Sequence, residues 1–337
     1  HANPSNEDFG MPEIGVRAPG LDSDQRIELS RRASGLENHE NEIAFGEGLH
    51  QPHRKPGGTG FQGRLRSMPR ASTCLGPGSA RDVRAVVLSH GWSQLSPFDH
   101  QADSISIRLR GRAVTVRARS GELWAEAPLS RRDRTAIREC LSLDLDLAPF
   151  WRLCSSDPEL SWASRARAGR VLRAPTAFAD AAMVLATTNC SWSLTKRIVS
   201  ALCEHWGEDG AFPDQAALAD VSEADLRDYG RLGYRAPFLK RLTQRDLESL
   251  RRDDRPTEEI HGDLLALPGF GPYAAEGMLR LLHRFEHFAL DSWVVPRYGE
   301  LFPRRKCTEQ ALSRRFARYG RWRGLAFWLT VTADWYR

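Results

Sequence analysis

The run Leu267-Pro268-Gly269-Phe270-Gly271-Pro272-Tyr273-Ala274-Ala275-Glu276, with Asp291 following in Ala289-Leu290-Asp291-Ser292-Trp293-Val294, combines two chemistries. Backbone amides left free at a helix start bind anions, and a carboxylate stabilises developing positive charge or directs a water. Gly269 and Gly271 permit a tight turn without a Cβ penalty, and Pro272 suits the first position of the helix that follows. Amides presented in this way hold phosphate and ignore base sequence, so the stretch reads as a DNA-backbone clamp with a carboxylate nearby. A Gly-x-Gly turn alone is a common helix connector. Two further landmarks precede it in order: Thr187-Thr188-Asn189-Cys190-Ser191-Trp192 and Leu232-Gly233-Tyr234-Arg235-Ala236.

Pattern, spacing and order resemble the helix-hairpin-helix/Gly-Pro-Asp superfamily of base-excision DNA glycosylases. The resemblance is to the branch with an N-terminal β-sheet domain, which contains 3-methyladenine and 8-oxoguanine glycosylases. It implies that the hairpin residues Leu267, Gly269, Phe270 and Gly271 grip DNA and that Asp291 supports cleavage of the N-glycosidic bond. It also implies that Asn189 fills the place of an extruded nucleotide, that Arg235 touches the unpaired partner base and that Tyr234 wedges against a neighbouring base. Plainer readings exist for each: Asn189 as a helix C-cap, Tyr234 as a core aromatic, and Asp291 as the N-cap of a helix beginning at Ser292. For Asp291 the two roles are compatible. Pro296, early in that helix, would remove one backbone bond.

Position 273 separates reaction classes. In bifunctional members the residue two after the second glycine is a lysine whose amine forms a Schiff base with the sugar and leads to strand cleavage. Here it is Tyr273, a catalytic candidate beside Asp291, and a phenol cannot form that imine. The resemblance therefore implies a monofunctional glycosylase that releases a damaged base, an alkylated or otherwise modified purine, and leaves an abasic site. The alternatives are an 8-oxoguanine-type glycosylase/lyase with a relocated lysine (Lys240 being the candidate), a mismatch thymine glycosylase, or a DNA-binding protein without turnover.

These groups need a scaffold, and the chain changes character along its length. Residues 1–80 are rich in Gly, Pro, Ser, Asn and charge and read as a flexible arm. His39, His50 and His53 within it are too loosely spaced for a metal site. Residues 81–150 turn to period two: Ile105, Ile107 and Leu109, then Val114, Val116 and Ala118, alternate with polar residues, the pattern of an antiparallel sheet with one apolar face. Just before them, His90-Gly91-Trp92-Ser93-Gln94-Leu95-Ser96-Pro97-Phe98 supplies Trp92 and Phe98, which either plug the sheet core or, with Trp192, flank the flipped base. Residues 151–337 carry helical periodicity, with arms of the hairpin over His261–Leu267 and Pro272–Phe285 and an amphipathic end from Thr308. The expected class is α+β: an N-terminal antiparallel β-sheet domain followed by an all-α helix-hairpin-helix domain.

Composition narrows the function further. The 337 residues carry a formal net charge of +5, and lysine occurs only at positions 55, 196, 240 and 306, so the positive charge is nearly all arginine. Arginine forks suit phosphate and base contacts, and a GC-rich genome gives the same bias. Cysteines at 74, 140, 154, 190, 203 and 307 form no Cys-x-x-Cys pair, so no zinc site is expected. Only Cys307 follows Asp291, which argues against the iron–sulfur cluster some superfamily members carry there, and no cofactor is expected. No stretch approaches the ~20 apolar residues of a membrane span. With the polar start His1-Ala2-Asn3-Pro4, no secretory signal is expected within this sequence. The expected partner is double-stranded DNA containing a damaged base, bound by a monomer in the cytoplasm or nucleoid of a bacterium, or the nucleus or an organelle of a eukaryote.

Overall fold

Alternating β-branched residues build the first layer. The computed structural model describes residues 72–336. Strands β1 (Thr73–Pro77), β2 (Phe98–Gln101), β3 (Ser104–Leu109), β4 (Arg112–Arg119) and β5 (Glu122–Ala125) form one antiparallel sheet in the order β1-β5-β4-β3-β2. Ile105, Ile107, Val114, Val116, Leu123 and Ala125 point to one buried face, as the period-two reading requires. Helix α1 (Ala80–Val87) covers that face with Val83 and Val86. Its start is a capping box in which the Ser79 hydroxyl and amide both reach the Asp82 carboxylate.

The arm expected over residues 1–80 is shorter at its C-terminal end. Thr73–Pro77 is an edge strand paired with β5, and its Gly and Pro, which suggested a breaker, serve a register irregularity between Cys74 and Gly76, where Gly76 has φ +126°. Residues 1–71, with the remainder of the expected arm and its His39, His50 and His53, lie outside the described residues.

Helices make up the rest: α2 (Arg131–Cys140), α3 (Ala148–Ser155), α4 (Trp162–Arg165), α5 (Ala177–Thr187), α6 (Trp192–Trp206), α7 (Gln215–Asp220), α8 (Glu223–Asp228), α9 (Ala236–Leu242), α10 (Thr257–Leu265), α11 (Pro272–Leu281), α12 (Val294–Leu301), α13 (Glu309–Arg315) and α14 (Arg323–Val331). Their starts follow side-chain chemistry: Thr176, Ser191, Ser222 and Thr308 each accept from an amide three residues on. The two hairpin arms are α10 and α11, each shorter at its C-terminal end than the periodicity suggested. The amphipathic end is two helices, separated where Gly320 takes φ +52°. Sheet and helices share one continuous core running from Leu75 to Val331. No helix of the described residues is long and apolar enough to cross a membrane.

Asp180 on α5 joins the layers and is 1% exposed. Oδ1 accepts from Trp92 Nε1 at 3.1 Å and from the Ala174 amide at 2.7 Å, while Oδ2 pairs with Arg251 Nη2 at 2.9 Å. Burial pushes the Asp180 carboxyl up, and the Arg251 and Arg173 guanidiniums pull it back. Asp180→Ala would leave Arg251 buried without its main counter-ion, an expected loss of about 3–5 kcal/mol in urea unfolding. A loss under about 1 kcal/mol would show that this pair does not hold the layers together.

Candidate active site

Four separated stretches meet at one place. Gly269, with φ +81°, is the left-handed residue of the turn between α10 and α11. A Cβ there would lie 2.7 Å from Phe238 Cδ2 on α9 and 2.8 Å from Leu185 Cδ1 on α5, so the turn is pressed onto both helices. Gly271 differs from the expectation for the pair. It is extended (φ −100°, ψ −174°), caps α11, and an added Cβ would meet nothing within 4 Å. The first amide of α11 to bond within the protein is Ala275 N, which donates to Gly271 O at 3.0 Å. The amides of Gly269, Gly271, Tyr273 and Ala274 have no acceptor among the described residues. Phe270 packs inward at 7% exposed and Leu267 is half-buried against the core.

The end of α5 carries the second stretch. Asn189 is exposed and adopts φ +46° just past Thr188, the C-cap of α5, which agrees with its plainer reading as a helix-ending residue and still leaves its side chain outward. Arg235 does not point out. It is 3% exposed, donates from Nε to Thr188 O at 3.1 Å, and its Nη2 reaches both Thr188 O and Asn189 O. Held so, the guanidinium fixes the turn that presents Asn189. Tyr234, by contrast, is 53% exposed, with the Arg235 Cζ 4.5 Å over its ring and Phe238 edge-on at 6.3 Å. Asn189, Tyr234 and the glycine turn thus form one surface, stitched by Arg235 and Phe238.

Asp291 acts electrostatically on Tyr273, on the helix that follows the turn. The Tyr273 hydroxyl sits 3.4 Å from Thr187 Oγ1 at the end of α5, and burial together with the nearby Asp291 charge pushes the Tyr273 phenol up. Asp291 Oδ1 accepts from the amides of Trp293 at 2.9 Å and Val294 at 2.6 Å, so it does cap the helix that follows. Its Oδ2 has no hydrogen-bond partner among the described residues and is not sealed from solvent. Burial lifts the carboxyl above the usual range; the two amides and Arg280 act against that. Val295 N–H to Asp291 O at 3.2 Å and Arg297 N–H to Trp293 O at 3.1 Å bracket Pro296, so one rung is missing and the turn still holds.

Several residues that position or line the site were not picked out from the sequence. Glu276 on α11 lies beside the Ala289 amide in the segment that leads to Asp291, where Ala289 takes φ +49°. Gly324 lets the start of α14 touch the chain before Asp291: its amide donates to Phe285 O at 2.7 Å, and a Cβ would sit 1.9 Å from His287 O. One turn on, Trp328 is fixed by Nε1 donating to Ser89 O at 2.7 Å and carries Arg280 Cζ 4.2 Å over its ring. Arg280 shares a face of α11 with Tyr273 at i+7, with Gly277 between them. Stepping 3.6 residues from Tyr273 would have found both.

The aromatic candidates fall elsewhere. Trp92, 7% exposed and bonded to Asp180, and Phe98, 8% exposed in β2 opposite Ile107, are core residues. Period-two burial claims Phe98, and a buried carboxylate claims the Trp92 N–H. Trp192 packs on Gly91 and donates to Gln94 Oε1 at 3.0 Å, joining the turn before β2 to α6. A surface cleft lined by Arg81, Trp162, Arg165, Ala166 and Tyr336 contains none of the residues around Asp291. Glu258, His261 and His287 offer ligand atoms within 4.8 Å of one another, a grouping the Glu-x-x-His spacing on α10 could have signalled. His287 Nε2 is paired there with the exposed Glu258 at 3.3 Å.

No protein-family model and no curated protein matches the chain. Solved structures do. MBOgg1 in complex with a low affinity DNA ligand aligns with TM-score 0.62 at 19% identity over 77% of this chain and 94% of its own. The 3-methyladenine DNA glycosylase of Archaeoglobus fulgidus aligns with TM-score 0.60 at 19% identity over 78% and 98%. The 8-oxoguanine glycosylase/lyase of Clostridium acetobutylicum, in its apo form, aligns with TM-score 0.58 at 18% identity over 74% and 93%. The chain shares the fold of these enzymes across its sheet and its helices.

Proposed function

We propose that the protein is a monofunctional DNA glycosylase of base-excision repair, acting on double-stranded DNA that carries a damaged base. The observation that carries this reading is a chain of contacts: the Asp291 charge acts on Tyr273, Tyr273 follows the turn with four free amides and reaches Thr187 at the end of α5, and Arg235 ties that helix end to the outward Asn189 and Tyr234. Phosphate on the free amides would anchor one strand at the start of α11. Asn189 and Tyr234 would occupy the gap left by an extruded nucleotide. As the base-sugar bond lengthens, positive charge grows on the deoxyribose. Asp291, fixed through Oδ1, would stabilise it with its free oxygen and orient the attacking water. Tyr273 would contact the base or sugar from the α11 side. The reaction needs no metal or redox group, and one chain holds every residue named.

Two facts favour base release without strand cleavage. Tyr273 stands where an imine-forming lysine would be required, and the Lys240 amine donates to Ala219 O and Val221 O at the end of α7. Borohydride added during turnover on a panel of single-lesion duplexes is expected to trap no covalent adduct, with nicks appearing only after alkali. Efficient trapping that disappears in Lys240→Ala would assign lyase chemistry to that lysine.

A further inference from the structure

We propose that Arg280 is a specificity-determining residue that reads the extruded base by charge, admitting neutral, acceptor-rich bases and turning away ring-cationic ones; this rests on the glycosylase reading above. Arg280 is the one guanidinium on the face of α11 that runs from Tyr273 past Gly277. Its Cζ lies 4.2 Å over the Trp328 ring, and that ring is held in turn by Ser89 O. Among the described residues no carboxylate comes within ion-pair distance of Arg280 and no carbonyl accepts from it. Its N–H fork is therefore fixed in place and still free to donate.

The same face of α11 is open at Gly277. Gly277, one turn from both Tyr273 and Arg280, has nothing within 4 Å of where a Cβ would be. Asp291 acts electrostatically on both Tyr273 and Arg280, so the carboxylate is near this same face. His90, the other nearby titratable ring, donates Nε2–H to Leu172 O, and burial keeps it neutral, its pKa pushed down to about 3. Tyr273 is likewise uncharged. A base seated between Tyr273 and Arg280 would thus meet one fixed positive charge and a fork of donors on its edge, with the Asp291 charge on the sugar side.

A purine alkylated at N3 or N7 carries its positive charge in the ring, and that charge is opposed here by Arg280. At a separation of about 5 Å and partial burial, repulsion of this kind weakens binding on the order of 10–100-fold. An oxidised purine offers carbonyl oxygens to the same fork and stays neutral. This narrows the alkylated or otherwise modified purine expected from the sequence to a neutral, oxidised one.

The test is equilibrium binding of the full chain to duplexes containing one uncleavable 2′-fluoro nucleoside, either 8-oxoguanine or the cationic 7-methylguanine. The expected result is 8-oxoguanine bound at least about tenfold more tightly, the gap closing in Arg280→Gln and partly returning in Arg280→Lys. Equal binding by the native chain, tighter binding of 7-methylguanine, or an Arg280→Gln loss equal for both duplexes would overturn the proposal. Turnover on the corresponding cleavable duplexes is scored separately. A chain that discriminates in binding but releases neither base would sink the glycosylase reading and leave the role of Arg280 standing.

Discussion

Asp291→Asn is expected to lower base release by about 10²–10³-fold or more while leaving the affinity for a lesion duplex within a few-fold. The carboxylate has two separable tasks. Oδ1 caps the turn into α12 through the Trp293 and Val294 amides, and an asparagine Oδ1 can do the same. The unpartnered Oδ2 supplies the charge for the reaction, which an amide cannot. Because burial raises the Asp291 carboxyl, its ionised, active form is gained at a higher pH than for a free aspartate near ~3.9, and turnover should fall as pH drops through that raised value. For stability the direction is opposite. A carboxyl whose pKa is higher in the folded chain holds its proton more tightly there, so its contribution is greatest below the unfolded pKa and is lost as pH rises through the folded one. At neutral pH Asp291→Asn should therefore melt at the same temperature or a few degrees higher, with almost no turnover. Unchanged base release across a lesion panel would reduce Asp291 to a helix cap.

Gly269 and Gly271, two residues apart, should fail in different ways. Gly269→Ala places a Cβ in the left-handed region at φ +81° and into Phe238 and Leu185, so stability should drop by roughly 2–4 kcal/mol, with activity lost alongside it. Gly271→Val meets no atom within 4 Å at its Cβ and sits at an ordinary φ of −100°, so the melting temperature should barely change. Its branched side chain would instead fill the space in front of the free amides of α11. Binding to undamaged, abasic and lesion duplexes should weaken together, about tenfold, because phosphate contacts carry no base information. Loss confined to one lesion, or a large drop in stability, would show that the turn is not a general anchor.

The order of the site could be read from the chain because its parts are local. A glycine turn before Pro272, a polar residue ending α5 and an aspartate beginning α12 each state their backbone role in a few residues, and packing of α5, α9 and α11 brings them together. What escaped reading depends on contacts between distant elements. Arg280 is unremarkable in an arginine-rich chain until α14, anchored at Gly324 against the backbone of His287, sets Trp328 beneath it. Arg235 looks like an outward arginine beside Tyr234, and only the bare carbonyls at the end of α5 turn it inward. Trp92 and Phe98 have the aromatic character of a base pocket, yet sheet register and the buried Asp180 claim them for the core. Thr73–Pro77 carries too little alternation to announce a strand, and its pairing comes from β5.

A crystal structure of Asp291→Asn bound to a duplex with one uncleavable lesion tests the account where it is most exposed. The account predicts the lesion swung out beneath α11, its anomeric carbon about 3–4 Å from the residue 291 side chain, and a phosphate of the same strand on the amides that follow Gly269. A damaged nucleotide still stacked in its helix, or swung out against another face of the protein with residue 291 far from any sugar, would contradict it.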